Sequence, residues 1–413
     1  MLNGLCGRLG IAAPIARAGA RAFERAASLR YEAQALNRLR VVEAFMAQGI
    51  SESDLAGSVG YGYDDAAREH YEALLADLFG AQAALARLSL VSGTHAIVAA
   101  IRAVVASGKT LLCVTGAPYD TLRNAILDAP DALVRSGLKY EQIALRGGAF
   151  DTAAILEQLV DPDVAAIFVQ RSRGYAPRPS LDIEPCEALF AQIRSVRPDI
   201  AILVDNCYGE LVETREPTHV GADLAIGSLI KNLGGGIAPA GAYLAGRLEL
   251  IERVAAHHYA PGLRRALGPT LGVGRALLQG LFVAPLIVEQ TLRGLDFAAA
   301  LFSELGYTVD PQCGAYRTDT VQSIRLGSAQ RVQSFADGLQ RAMPVNARFR
   351  PEPGAVPGYA EPVLMSSGAF ISGATIELSC DAPLREPFEV YLQGGLLTEH
   401  TIVGALLAAQ ALA

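Results

Sequence analysis

The strongest constraint on the fold is an alternation of short apolar runs with helical segments, which begins near residue 85. Between the apolar runs lie segments with apolar residues at helical spacing, such as "THAIVAAIRAVVA" and "EPCEALFAQIRSV". This alternation is typical of a mostly parallel sheet with helices on its faces. The sequence therefore predicts an α/β fold, with strands in "ALARLSLV", "TLLCVT", "VAAIFVQ", "DIAILVD" and "DLAIGSLI".

Two further regions flank the predicted sheet. Residues 13–48 are rich in Ala, Arg, Glu and Leu, with apolar residues at helical spacing, which predicts an N-terminal helical arm. After about residue 285, a long helical segment precedes "VQSIRL", "SFADGLQRAM" and "GATIELS", a pattern typical of a smaller α+β domain. We therefore predict a helical arm (1–58), a large domain (59–285) and a small C-terminal domain (286–413).

Charge and composition exclude several classes of function. The net charge of -7 argues against nucleic acid as a partner, because phosphate binding needs a basic face. The N-terminal residues lack the apolar core of a signal peptide, and "LLQGLFVAPLIVEQ" is too short to cross a bilayer. The six cysteines include no Cys-x-x-Cys pair, which indicates reduced thiols. We therefore expect a cytoplasmic protein that binds neither nucleic acid nor a membrane.

Each predicted strand is followed by polar residues or glycines. In open parallel sheets, ligands bind outside the carboxyl ends of the strands, so these loops are expected to meet at one edge. The loops are Ser92-Gly93-Thr94-His95, "TGAPYDT", "RSRGYAPRPS", Asp205-Asn206-Cys207-Tyr208 and the residues around Lys231.

Lys231 lies in "GSLIKNLGGG", between an apolar run and three glycines. A lysine amine has a reference pKa of about 10.4 and becomes a nucleophile only when it is shielded from water or lies near other positive charge. Asp205 ends another apolar run, where a buried carboxylate needs a cationic partner. That partner is either an arginine or a protonated ring nitrogen.

Ser92-Gly93-Thr94 begins a predicted helix, whose free N–H groups and dipole suit a phosphate, although an ordinary N-cap has the same sequence. Tyr119 can lie flat on a ring or be a simple loop aromatic, and Ser228 can add a hydroxyl to the phosphate. A phosphate site, a tyrosine, a carboxylate and a sheltered lysine are together what pyridoxal 5'-phosphate (PLP) requires. The lysine holds its aldehyde as a Schiff base, and the carboxylate keeps its ring nitrogen protonated. The sequence therefore predicts PLP as the cofactor.

Other motifs do not compete with this interpretation. "ASGKT" lacks the first glycine of a P-loop, and its Lys109 precedes a strand, so we interpret it as a turn residue. His257 and His258 are adjacent, so on a helix they point in different directions, and no acidic or cysteine cluster supports them. We therefore expect no metal site.

The order Ser-Gly-Thr, Tyr, Asp-Asn and Ser-x-x-Lys resembles fold-type I PLP enzymes of the cystathionine-metabolism group. More closely, the chain resembles the methionine γ-lyase-like family, also called aluminium-resistance proteins. The similarity runs from about residue 60 to residue 400. It rests on "GYGYDDAARE", "VSGTHAI", "TGAPYDTL", "QRSRGYAPRPSL", "VDNCYGELVE", "GADLAIGSLIKNLGGGIAPAGAYLAG", "PVNARFRPEPGAVPGY", "IELSCDAPLREPF" and "YLQGGL".

The resemblance implies the fold-type I PLP-dependent transferase fold, with a PLP-binding large domain and a small α+β domain. It also implies a homo-oligomer, a tetramer of close dimers. In the wider group, a segment before the main domain reaches the phosphate of the neighbouring subunit. By position that segment is "GYGYDDAARE", where Tyr63 and Arg68 are favoured over Tyr61. The alternative is a structural turn after the helical arm.

The resemblance further implies a PLP-dependent lyase that acts on an amino acid by β- or γ-elimination at a C–S or related bond. Lys231 would move the Cα proton, and Tyr119 would stack on the ring and serve as an acid. Arg173, Arg178 and Arg385 are candidates to bind the substrate carboxylate, or else they form ion pairs within loops. Two alternatives stay open: a replacement or aldolase-type enzyme of a specialised biosynthetic pathway, and a non-catalytic PLP-binding stress-response protein. The loops "HHYAPGLRRALG", "GYAPRPSL" and "ELSCDAPLREPF" depart from the family pattern, which motivates the first alternative. The retained Lys231 and Asp205 argue against the second.

Overall fold

A seven-stranded sheet forms the centre of the large domain in the computed structural model, which describes residues 2–413. Its strands are β1 (Ala83–Arg87), β2 (Thr110–Cys113), β3 (Lys139–Gln142), β4 (Val164–Gln170), β5 (Ala201–Asp205), β6 (Leu224–Ser228) and β7 (Ala242–Gly246). They lie in the order β1-β7-β6-β5-β4-β2-β3. Neighbours from β6 to β3 run parallel, and β7 runs antiparallel to both β6 and β1. The predicted mostly parallel sheet is confirmed.

All five predicted strands are present, but the first one ends earlier than expected. Strand β1 stops at Arg87 because its neighbour β7 begins opposite it, at Ala242. Residues 88–90 form a turn and a bend instead. The sequence did not predict β3, a partly exposed edge strand without an apolar run, or β7.

Helices cover both faces of the sheet. Successive residues of one strand enter opposite cores: Leu111 of β2 packs in the core beneath two helices of one face, and Leu112 packs on the other face. Such alternation follows from the pleat of a β-strand. The helices are α1 (Leu2–Leu9), α2 (Ala13–Ala27), α3 (Glu32–Gln48), α4 (Ala66–Leu78), α5 (Gly93–Val104), α6 (Asp120–Arg123), α7 (Thr152–Gln158), α8 (Ile183–Val196), α9 (Leu248–His258), α10 (Gly274–Glu304), α11 (Ala329–Gln340) and α12 (Thr398–Leu412).

The small domain is an antiparallel sheet covered by helices. Its strands β8 (Thr308–Asp310), β9 (Val321–Arg325), β10 (Val363–Ser367), β11 (Ser379–Pro383) and β12 (Glu389–Gln393) lie in the order β10-β11-β12-β9-β8. Helices α11, α12 and the second half of α10 pack on this sheet. The expected boundary at residue 285 falls within α10, which runs through both domains.

The predicted arm consists of separate helices that pack on different domains. Helix α2 buries Ile15, Ala18 and Ala22 in the core of the small domain. Helix α3 buries Val41 and Ala44 against the large domain. Residues 2–48 therefore connect the two domains within one chain. Among residues 2–413, no helix is long and apolar enough to cross a membrane.

Candidate active site

A cavity of about 370 Å³ lies where the loops after the large-domain strands meet the small domain. Strands β4, β5 and β6 are parallel neighbours, so the loops that follow them share one edge of the sheet. The small domain adds Tyr359, Ser372 and Gly373. Seven of the predicted site residues line this cavity: Ser92, Gly93, Thr94, Tyr119, Asp205, Ser228 and Lys231.

Asp205 and Lys231 supply opposite charges to the cavity. Asp205 is buried at the end of β5, where its Oδ1 accepts a hydrogen bond from the Cys207 N–H at 3.1 Å. Burial raises the pKa of the Asp205 carboxyl, and the charge of Lys231 opposes this rise. Burial disfavours the Lys231 ammonium, but the acidic groups around it, Cys207, Tyr208 and Asp205 among them, raise its pKa well above the usual value.

The chain contains three lysines, and Lys231 is the one that lines the cavity. The Nζ atoms of Lys109 and Lys139 both bind Asp163 at the protein surface, at 2.9 and 3.0 Å. Lys231 is therefore the lysine whose amine is accessible to a ligand in this cavity.

The N-terminus of α5 forms one end of the cavity. Ser92 is its N-cap, and the Ser92 Oγ accepts a hydrogen bond from the His95 N–H at 3.1 Å. The N–H groups of Gly93 and Thr94 belong to the first turn, where no carbonyl of the helix is in reach. A Cβ on Gly93 would come within 3.1 Å of the Cys207 Sγ and 3.7 Å of Ser228, so glycine keeps this end of the cavity open. Ser92 thus acts as an N-cap, and the N–H groups of Gly93 and Thr94 remain available to a ligand.

Tyr119 is held in place by two hydrogen bonds. Its hydroxyl lies 2.7 Å from the Thr94 Oγ1, and its backbone N–H donates to the Gln170 Oε1 at 2.9 Å. Burial, reinforced by the charge of Asp205, raises the pKa of Tyr119 well above its usual value. The phenol is therefore protonated at neutral pH and can donate a hydrogen bond.

The glycines after Lys231 are required by close packing on α10. A Cβ on Gly234 would meet the Leu229 carbonyl oxygen at 2.2 Å, and a Cβ on Gly280 of α10 would meet the Gly234 oxygen at 2.4 Å. Gly235 has a φ of 52°, in the left-handed region that favours glycine. The loop therefore rests directly on the helix backbone, which fixes the position of Lys231.

Several cavity residues were not predicted from the sequence. Tyr175 and Tyr208 lie within loops that the strand pattern had indicated, next to residues chosen for their charge. Their positions could have been suspected from "RSRGYAPRPS" and "VDNCYGE". Tyr359 comes from a Pro- and Gly-rich segment of the small domain, and no local signal links it to the large-domain loops.

The three candidate arginines do not line the cavity; each is engaged in a loop contact nearby. Arg173 is buried and pairs with Asp310 at 2.7 Å. Arg178 donates to the carbonyl oxygens of Gln170 and Ser172 at 2.8 and 2.7 Å. Burial, together with the charge of Arg173, lowers the pKa of Arg178 to about 10.

Arg385 lies at the border between the two domains. Its guanidinium donates to both carboxylate oxygens of Asp120, at 3.0 and 3.1 Å, and to the Tyr175 carbonyl oxygen at 3.2 Å. The hydrogen bonds that Arg385 donates to Asp120 raise the pKa of its guanidinium. Arg178 and Arg385 thus each donate to the backbone of cavity-lining residues, and Arg385 is the one of these two that also pairs with a carboxylate.

Tyr63 and Arg68 lie away from the cavity of their own chain. Tyr63 is exposed, and its ring packs near that of Tyr61. Arg68 is buried, and its Nη1 donates to the carbonyl oxygens of Gly62 and Gly268 at 2.5 and 2.9 Å. Within its own chain, Arg68 therefore holds a turn.

Comparisons with known proteins place these observations in a family. The family model described as methionine gamma-lyase matches residues 16–413. YnbB of Bacillus subtilis is 40% identical over 88% of this chain and 87% of its own length. A solved structure from Clostridium acetobutylicum, described as a candidate cystathionine beta-lyase involved in aluminium resistance, is 37% identical. It covers 100% of this chain and 98% of its own, with a TM-score of 0.94.

A more distant structure, the PLP-dependent protein YhfS of Escherichia coli, shares the fold at 21% identity, with a TM-score of 0.61 over 92% of this chain and 96% of its own. The protein thus has the fold-type I architecture of PLP enzymes. The chain belongs to the methionine gamma-lyase family. The family resemblance found in the sequence is confirmed.

A buried acid lies beneath the loop that follows Asp205. Glu210 is fully buried, and its Oε1 accepts a hydrogen bond from the Tyr243 hydroxyl at 3.0 Å. Its Oε2 and the hydroxyl of Tyr71 are both buried without a hydrogen-bond partner. Burial, with the charge of Glu216 adding to it, raises the pKa of Glu210 to about 8. The carboxyl is therefore largely protonated at neutral pH.

We expect the stability of the protein to fall as the pH rises towards 8, in part because of Glu210. The pKa of Glu210 is about 8 in the folded state and about 4.3 in the unfolded state. Its contribution to stability is therefore complete below the unfolded pKa and is lost as the pH rises through the folded pKa. Glu210→Gln should flatten this slope and increase the free energy of unfolding at pH 8 relative to the parent. Denaturant titrations at pH 5 and pH 8 measure it. If the free energy of unfolding changes equally with pH in the variant and the parent, Glu210 is ionised in the folded state.

Proposed function

We propose that the protein is a PLP-dependent lyase that cleaves a carbon–sulfur or related bond of an amino acid by β- or γ-elimination and releases a keto acid and ammonia. The observation that carries the proposal is the position of the Lys231 amine and the Asp205 carboxylate in one cavity with the N-terminus of α5. The family description and the name of the Clostridium acetobutylicum relative support the same type of chemistry.

The residues of the cavity fit PLP. The free N–H groups at Gly93 and Thr94 and the hydroxyl of Ser228 would hold the phosphate, in the space that a Cβ on Gly93 would narrow. The buried Asp205 carboxylate would hold a proton on the ring nitrogen, since a buried carboxylate favours a cationic partner. The half-buried Lys231 amine would join the aldehyde.

The side chains around the reacting atoms divide the remaining tasks. When bound, PLP supplies an electron-withdrawing ring that stabilises negative charge at the substrate Cα. The Lys231 amine would move the Cα proton as general base and acid. Tyr119, protonated and oriented by Thr94, would cover the ring and donate a proton to the leaving group. The half-buried setting of these residues would limit the access of water.

Arg385 is the best placed of the three candidate arginines to bind the substrate carboxylate. It is one-third exposed, and it contacts Tyr175 at the cavity wall. A substrate carboxylate would take over the bidentate geometry that Asp120 occupies in the free protein. Arg173 and Arg178 are tied to Asp310 and to backbone carbonyls, so they would serve loop structure instead.

We also propose that the protein is a homo-oligomer built from close dimers, in which a second copy covers an outer apolar face on α3 and α10. We define this face as Leu36, Leu39, Val42 and Met46 of α3 with Phe282 and Leu286 of α10. Leu39 and Met46 are 59% and 76% exposed, although the opposite side of α3 is already packed on its own chain. The Phe45 and Phe282 rings, 5.2 Å apart, join the two helices. An apolar face of this kind on a polar surface favours association.

In the assembled protein, Tyr63 would reach the phosphate of a neighbouring subunit. Its exposed hydroxyl is free to do so, whereas Arg68 is held by two carbonyls of its own chain. The small-molecule partner of each site would be an amino acid.

Borohydride reduction should fix the cofactor covalently on Lys231. The purified protein should be yellow, and mass spectrometry of peptides should find the adduct at Lys231 because Lys109 and Lys139 are engaged with Asp163 at the surface. As a matched control, the double variant Lys109→Arg, Lys139→Arg should keep the colour and the adduct. An adduct on either of those lysines would refute the assignment.

Asp205→Asn should keep the fold and lose most of the activity. The amide is nearly isosteric but cannot hold the ring proton, and a hydrogen bond to a charged group contributes roughly 1.5–3 kcal/mol, so PLP binding should weaken about tenfold or more. The turnover number should fall further. Absorbance titration with PLP and release of keto acid measure the two effects. Asp163→Asn, at a half-buried surface position, serves as control. A near-normal rate in Asp205→Asn would make Asp205 a structural carboxylate.

The double variant Leu39→Glu, Met46→Glu should dissociate the oligomer, since it places charges on the outer apolar face. Size-exclusion chromatography with light scattering measures the mass. Mixing a Tyr63→Ala chain with a Lys231→Ala chain should restore part of the activity, because one of the two sites in a hybrid dimer is then intact. Chains that exchange without complementation, or a fully active monomer, would contradict the shared site.

A further inference from the structure

Three tyrosines line the part of the cavity that the large-domain loops share with the small domain. Tyr175 follows β4, Tyr208 follows β5, and Tyr359 precedes β10. The ring centroids of Tyr175 and Tyr359 are 6.1 Å apart, and Tyr391 of β12 packs 5.3 Å from Tyr175. The faces of such rings carry negative potential and attract cations.

The ring face of Tyr208 already accepts a cation, since the Lys231 Nζ lies 4.0 Å from its centroid. Tyr208 has a φ of 72°, a left-handed conformation that is uncommon for a residue with a large side chain. Its carbonyl oxygen accepts hydrogen bonds from the Asn232 Nδ2 at 2.9 Å and the Thr320 N–H at 3.1 Å. Both domains thus fix this ring in a position where it binds positive charge.

A carboxylate lies one hydrogen bond behind the tyrosine wall. The Tyr175 hydroxyl donates to the Oδ2 of Asp381, and the Gln393 Nε2 donates to the same oxygen at 2.7 Å. The Oδ1 takes part in neither bond. Burial raises the pKa of the Asp381 carboxyl, and the two hydrogen bonds and the charge of Lys231 oppose this rise. The ionised carboxylate adds negative potential to the wall formed by the three tyrosines.

Three carboxylates lie close to this end of the cavity. Asp120 and Glu361 lie 3.0 and 3.7 Å from the Arg385 guanidinium, and Asp381 is a third acid. Within the described chain, Lys231 is the one cation among the lining residues, and the proposed function assigns its amine to the cofactor. If Arg385 binds the α-carboxylate, a substrate side chain meets the tyrosine faces, the Asp381 carboxylate behind them and the carboxylates that Arg385 pairs with in the free protein.

We infer that the substrate is an amino acid whose side chain is positively charged beyond the bond that breaks, as an ammonium or sulfonium group. The inference rests on the proposed function for its reaction, but the selectivity comes from Tyr175, Tyr208, Tyr359 and Asp381. A neutral side chain binds more weakly, and an anionic one is repelled by Asp381 and Glu361.

Binding of three uncleavable amino acids tests the charge preference without turnover. L-Lysine, L-norleucine and L-2-aminoadipate have similar length and carry a positive, neutral or negative end. Calorimetric titration of the PLP-loaded protein should give a Kd for lysine about tenfold or more below that for norleucine, with aminoadipate weakest. Equal values, or tighter binding of norleucine or aminoadipate, overturn the inference.

A cleavable series tests the same preference in turnover. S-(2-aminoethyl)-L-cysteine, S-propyl-L-cysteine and S-(2-carboxyethyl)-L-cysteine differ in terminal charge, and the homocysteine counterparts serve for γ-elimination. Each cleavage consumes one water and gives one thiol, one keto acid and one ammonia. We expect kcat/KM to follow the order positive, neutral, negative. If no compound of either series is cleaved while lysine still binds best, the lyase proposal fails and the charge inference stands.

The variant Asp381→Asn removes the charge and keeps an acceptor for the Tyr175 hydroxyl. It should reduce the ratio of lysine to norleucine affinity severalfold, whereas Asp163→Asn, a surface carboxylate far along the chain, should leave the ratio unchanged. An unchanged ratio in Asp381→Asn overturns the assignment. If the variant does not fold, the charge series on the parent protein decides the question alone.

Discussion

The parallel pairing of β5 with β6 is the constraint on which the site depends. It brings the loop after Asp205 and the loop before Lys231 to the same edge of the sheet, with Asp205 in register with Ile226. A carboxylate buried at a strand end is costly without a cationic partner. Lys231 provides that positive charge within the chain, and the proposed cofactor would provide it at the ring nitrogen. The other lining residues only need to surround this pair.

Close backbone packing gives the pair its position. The glycines that follow Lys231 let the loop rest on the backbone of α10 at Gly280, and any larger side chain there would push the loop away. Helix α10 in turn runs from the large domain into the core of the small one. The position of Lys231 is therefore coupled to the packing of both domains.

The small domain completes the site. Asn232, next to Lys231, bonds to the Tyr208 carbonyl and to Thr320, and Arg385 bonds to Asp120 beside Tyr119. These contacts join the chemistry of the large-domain loops to side chains of the small domain. The substrate selectivity that we propose would depend on tyrosines and carboxylates that no single element supplies.

The sequence by itself determined the strand pattern, the fold class and the charged centre, because apolar periodicity and polar strand ends are local features. Five strands and seven cavity residues, Lys231 and Asp205 among them, followed from it. Only the tertiary structure decided that the N-terminal helices pack on both domains, that the candidate arginines are engaged in loop contacts, and that Tyr359 and Asp381 lie near Lys231. Contacts between residues far apart in the chain depend on how whole domains pack, and a local pattern carries no record of them.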